Sequence, residues 1–342
     1  MDSLEHTELP QYEEAKAKSA YRRAGGALCA FITVTQISAI VLAAVAQLFF
    51  PHLIATDWFV LVLNFICIYC AGAPLFFLII SDTPAKPREK KKMSAGSLIC
   101  AALIAVSCIY IFNILTVFIS SLLENALGMT FPNRLDETLE NANLWLAILS
   151  TVVVAPIMEE LIFRKLLCDR LAPYGEWQAI VFTALAFSLF HTNLQQMLYA
   201  FALGCLFGVI YVRTGKIIYT IILHATVNFV GSVPGLLLLK SDIIEILDRF
   251  ALMTGENDPE ALMAFFAEHA GVIVSYLLYS LILVFVVVTG LVIGIISIGK
   301  LIRAADGKLM PKKRRIIIMY SGVFTVLYIV IATALTVFSL IA

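Results

Sequence analysis

Long uncharged apolar runs, each sufficient to cross the ~30 Å hydrocarbon core of a bilayer, constrain this chain more than any other feature. Nine can be marked, at roughly 27–50, 58–80, 95–123, 143–167, 177–192, 194–212, 217–239, 271–299 and 316–342. With 61% hydrophobic and 14% charged residues in 342, the composition exceeds what a soluble core needs. A lipid-exposed backbone must satisfy its own hydrogen bonds, so the expected fold is all-α, a polytopic transmembrane helix bundle. The expected count is about nine spans, with eight as the alternative. The weakest assignment is the pair 177–192 and 194–212.

Charge sets the expected orientation. With the N-terminus cytoplasmic, the basic residues fall on the inner side, leaving only Arg134, Lys240 and Arg249 of the 24 outside. Residues 1–26 are read as a cytoplasmic tail, without a cleavable signal, and 27–342 as one transmembrane domain with its chemistry in 144–235. The basic linkers 81–93 and 300–315 are read as topology determinants. On the other side, 124–143 is polar and acidic. Residues 241–270 carry two amphipathic helical patterns, the second capped by Asp258, opened by Pro259 and closed at Gly271. Gly204-x-x-x-Gly208 reads as internal helix packing, and Cys67-x-x-Cys70 as small packing residues.

Against this background the fourth span is anomalous. It alone carries formal charge, as Glu159, Glu160, Arg164 and the boundary residue Lys165. A carboxylate at bilayer depth costs at least ~2.5 kcal/mol, so an adjacent pair points to a functional site. Glu160 and Arg164 are four apart and share a helix face, as an ion pair requires. Glu159 turns about 100° away, toward another helix. Pro156 removes an amide beside it and predicts a kink or a small hydrated pocket.

Only two histidines fall in the spans, His191 in the fifth and His224 in the seventh. His191 is placed to share a proton with Glu159. His224 and Asn228 are four apart, and both can donate to an oxygen that becomes negative. Helix rise puts Glu159 and His224 in the inner half of the bilayer, but counting from Trp177 leaves His191 ~21 Å from the inner face. Its helix would have to begin below the membrane surface or tilt. A catalytic zinc on Glu159, His191 and His224 is the mechanistic alternative, although H-E-x-x-H is lacking and Asn228 stands where a second helical histidine would bind.

In order along the chain, Glu159-Glu160-x-x-x-Arg164, Phe187-x-x-x-His191 and His224-x-x-x-Asn228 resemble the three motifs of the CPBP, or Abi, family. That family includes type II CAAX prenyl endopeptidases and bacterial proteins linked to bacteriocin immunity. The resemblance covers roughly 144–235. It implies an intramembrane glutamic endopeptidase of the cell membrane, with its active site facing the cytoplasm and no cofactor. It further implies that Glu159 and His191 activate water, that His224 and Asn228 stabilise the oxyanion, and that Glu160 and Arg164 support the first pair. The partners expected are a membrane-associated protein or peptide substrate and the lipid bilayer, not nucleic acid; oligomeric state is left open. A nonenzymatic scaffold or immunity factor, and a transporter, are the rival classes, the transporter disfavoured because all the charge lies on one helix.

Overall fold

The computed structural model describes residues 2–86, 88–131, 143–239, 242–255, 258–302 and 312–341. Most of the expected outer loop 124–143 and part of the linker 300–315 lie outside them. Helix is the only regular structure among the described residues. The chain runs through α1 (Asp2–Phe49), α2 (Phe59–Ser81), α3 (Ala95–Leu127), α4 (Leu144–Tyr174), α5 (Glu176–Phe190) and α6 (Leu194–Thr214). It continues as α7 (Ile217–Leu239), α8 (Ile243–Thr254), α9 (Pro259–Ile302), α10 (Lys312–Tyr320) and α11 (Val323–Ile341).

Eight of these helices are long and apolar enough to cross a membrane, not nine. The exception is α5, whose 15 residues reach only ~22 Å at 1.5 Å per residue. It still joins the two ends of the bundle. Glu176 at its start meets Arg88 of the basic linker, whereas Thr192 just past its end accepts a hydrogen bond from Ser339 near the end of α11. The alternation of helix direction therefore survives the lower count.

The residues expected as a tail are helical from Asp2 onward, and Ala17, Ala20, Tyr21 and Ala24 are buried in the main core. Small residues let α1 approach its neighbours closely. The second amphipathic pattern does start where Asp258 and Pro259 predict, with the Asp258 carboxylate accepting from the Ala261 amide at 3.1 Å. It does not stop at Gly271. A helix-interior glycine costs only ~1 kcal/mol, and the apolar run behind it carries α9 on to Ile302. α9 packs along α3, where Gly290 brings its backbone against the Leu103 carbonyl and Ser107 donates to Val287 O at 2.8 Å. Its remaining face, including Leu281, Phe285 and Ile296, is exposed as lipid contact demands.

Prolines leave a regular mark on two helices. A π-helical turn, with hydrogen bonds one residue wider than α, covers Ile66–Gly72 just before Pro74 and Leu149–Val154 just before Pro156. The wider turn gives room to a residue that has no N–H and whose ring crowds the preceding carbonyl, at the place where the sequence predicts a kink. A third π segment, Leu161–Cys168, follows directly after Glu160.

Two antiparallel hairpins hold the centre. α4 and α5 fold back at Gly175, whose φ of 140° suits glycine, and α6 and α7 at Gly215, with φ of 61°. Gly204 and Gly208 pack α6 against Ala184 and Ile180 of α5, the internal role expected of that motif. Thiol-reactive probes introduced at Lys90 and Lys216 should label from one side of a sealed membrane, and a probe at Asp258 from the other. Labelling of all three from one side would contradict this topology.

Candidate active site

Reflection of the α4–α5 hairpin about Gly175 relates residues on its two arms. Glu159 and His191 are each sixteen residues from Gly175, and Phe163 and Phe187 each twelve. Phe163 and Phe187 do meet, edge to face at 5.3 Å. α4 does not end near 167 but runs on to Tyr174, and α5 starts at Glu176 just past Gly175, so the fifth helix begins beyond the end of the fourth apolar run, one of the two routes the sequence left open for His191. In the second hairpin, Phe207 packs its ring 5.7 Å from that of His224.

The carboxylates, Arg164 and His224 form one buried lattice. Arg164 Nε lies 3.2 Å from Glu160 Oε2, with both side chains 0% exposed. His224 Nδ1 lies 3.1 Å from Glu160 Oε1. A carboxylate only accepts, so the imidazole donates from Nδ1, which orients its Nε2 edge. That edge faces Glu159, at 3.6 Å from Oε2. Glu159 retains 13% exposure, whereas Glu160 has none. Thus Glu160 is enclosed by α4 and α7, and Glu159 is the carboxylate that remains reachable.

Phe187 is the apolar hub of the site. Its ring lies 4.9 Å from that of His191, 5.7 Å from that of His224, and 5.4 Å from the Arg164 guanidinium carbon, in cation–π range. His191 is therefore brought to the cluster through Phe187, within electrostatic reach of His224. The ion-pair contact to Glu159 comes from His224, not from the histidine the sequence suggested as its proton partner. Asn228 Nδ2 donates to the Thr151 carbonyl at 2.8 Å, in the π turn before Pro156. The widened turn thus supplies the acceptor that fixes Asn228 beside α4. The i+4 spacing of His224 and Asn228 predicts a shared face, but no spacing rule predicts this anchor.

Among the described residues no group of three His, Cys, Asp or Glu side chains is arranged to hold a metal ion, the set Glu159, His191 and His224 included. Both ring nitrogens of His224 already face carboxylates.

Removing Arg164 would strand the Glu160 charge in a dry site. Arg164→Ala should destabilise the protein by ~3–5 kcal/mol, visible as a lower unfolding temperature in detergent. An unchanged midpoint would mean that the pair does not hold the helix.

Comparison with known proteins adds one positive finding. A family model described as "Type II CAAX prenyl endopeptidase Rce1-like" matches residues 141–230. Neither a curated protein nor a solved structure gives a match. The matched stretch holds Glu159, Glu160, Arg164, Phe187, His191, His224 and Asn228, and leaves α1 to α3 and α8 to α11 outside it. Over residues 141–230 the chain is thus similar to Rce1-like type II CAAX prenyl endopeptidases.

Proposed function

We propose that this protein hydrolyses peptide bonds of membrane-associated proteins or peptides in the inner half of the bilayer, using water activated by Glu159. The observation that carries this reading is the division of labour between adjacent carboxylates. Glu160 is tied on both oxygens, to Arg164 and His224, while Glu159 keeps solvent exposure and faces the free edge of His224. Two like charges side by side with different partners suit one for support and the other for proton transfer.

In the proposed sequence, water gives a proton to the Glu159 carboxylate as its oxygen attacks the scissile carbonyl carbon. The electron pair of the carbonyl moves onto its oxygen. Asn228 donates one amide hydrogen to Thr151 O and has a second for that oxyanion. Collapse of the tetrahedral species expels the amine, which takes the proton from Glu159. His191, packed on Phe187, completes the proton relay that the resemblance implies. A variant of this scheme is favoured by the His224 contacts. With Glu160 holding Nδ1, His224 is oriented as a carboxylate-backed imidazole, able to exchange a proton with Glu159 through Nε2 as well as to donate to the oxyanion.

The reading needs no metal. It places the site toward the cytoplasmic side of the cell membrane, where positive-inside bias puts the ends of α4 to α7. A substrate with a prenylated C-terminus fits where the host prenylates proteins; elsewhere a peptide pheromone, leader segment or membrane-bound toxin does.

Purified protein in liposomes should cut a farnesylated CAAX-type peptide, or an unlipidated membrane peptide, with incorporation of one oxygen from labelled water. Glu159→Gln should lower kcat by about a hundredfold or more, and His224→Ala by a similar factor. A chelator should leave the rate unchanged. Full activity in Glu159→Gln would refute the proposal, and chelator loss with one bound zinc per chain would replace it by a zinc site on Glu159, His191 and His224.

A further inference from the structure

The linker between α2 and α3 was expected to do no more than set topology. Thr83–Met93, of which Pro87 lies outside the described residues, instead crosses the ends of all four helices that build the site. The Lys86 amide donates to Asp169 O of α4 at 3.4 Å, and the Lys91 amide to Thr214 O of α6 at 2.8 Å. Thr214 ends α6, where carbonyls lack partners of their own, and the residue four on from Asp169 is Pro173, which has no N–H to offer its carbonyl. The Met93 amide donates to the Tyr219 hydroxyl of α7 at 3.1 Å. Arg88 Nη1 donates to Glu176 of α5 and to Val212 O of α6, each at 3.2 Å, and its Nε lies 3.4 Å from Asp169 Oδ1. The linker is a strap, and Arg88 is its central pin.

Asp169 is the other half of the pin. It is 2% exposed, and its carboxylate accepts from the Tyr211 hydroxyl at 2.9 Å and from Lys165 at 2.7 Å, besides facing Arg88. It stands at the end of the π segment Leu161–Cys168, on whose other end Glu159 and Glu160 sit. A π segment is an uncommon, less stable alternative to α, persisting where its surroundings fix it. The two patterns differ in rotation per residue. With Asp169 fixed, relaxation of 161–168 to α would turn Glu159 and Glu160 away from His224.

We infer that Arg88 is a positioning residue of the active site: through Asp169, Glu176 and Val212 it pins the cytoplasmic ends of α4, α5 and α6 and so holds the π register that aims Glu159 and Glu160 at His224. Arg88 lies outside the stretch matched by the family model. The catalytic consequence rests on the proposed hydrolysis; the structural one does not.

Two variants test it independently. Arg88→Ala removes the pin. Gly215→Ala touches no charge, but its new Cβ would stand 2.5 Å from the Glu89 carbonyl and displace the strap. In full-length detergent-purified protein, each should lower kcat on the farnesylated peptide by about tenfold or more. KM should stay within about twofold, because substrate contacts are untouched. Amide exchange in 161–168 should accelerate while that of α3 and α9 stays unchanged. Arg88→Lys, which keeps the charge but not the three-way fork, should recover part of kcat. Unchanged exchange in 161–168 would overturn the inference, and so would a uniform acceleration in all helices with a lower unfolding temperature. If wild type shows no Glu159-dependent cleavage, the proposed function fails, and exchange alone still decides whether the strap holds the π segment.

Discussion

The buried contact between Arg164 and Glu160 is the constraint on which the rest of this site depends. A carboxylate withdrawn from water at bilayer depth must be compensated, and here the compensation comes from its own helix, four residues on. That frees the second oxygen of Glu160 to hold His224 from α7, which fixes the distance between two hairpins. Phe187 then closes the arrangement, touching the ring of His191 and lying against Arg164. Three helices are joined by one compensated charge, and Glu159 is left beside them as the reachable acid.

Much of this was legible in the residues. The charged span, the Glu160–Arg164 pair and the candidate histidines follow from counting charges and helical spacing, and the family match over 141–230 agrees with the motifs. The level at which the helix of His191 begins is less legible, for a specific reason. Hydropathy ended α4 near 167, because Asp169 and Arg170 look like loop residues, yet both are held in the helix by contacts from elsewhere. Once α4 is extended to Tyr174, counting from Gly175 pairs Phe163 with Phe187, which do meet, and Phe187 in turn carries the contact to His191. Gly175 was the signal that could have revealed it.

Other features lie beyond local pattern. The π segments depend on what flanks the helix, since the same residues have ordinary helical propensities, although a proline two residues after each of the first two is a usable marker. The second amphipathic pattern was truncated at Gly271 by giving one glycine more weight than the apolar run around it. The strap is the least legible element of all. Its amides and Arg88 reach residues 81 to 126 positions away, and nothing in a run of lysines tells topology from tethering. A segment outside the matched stretch can therefore set geometry inside it.

The account places the chemistry in one side chain, and the most direct measurement compares protein termini. Host cells expressing wild type or Glu159→Gln at matched levels would be examined by mass spectrometry for the termini of membrane proteins and secreted peptides. The account predicts a set of new termini that appears with wild type and vanishes with the variant, together with accumulation of the uncut precursors. Identical termini in both, alongside an intact biological effect of the variant, would contradict it and favour a membrane scaffold or immunity factor that acts without cutting.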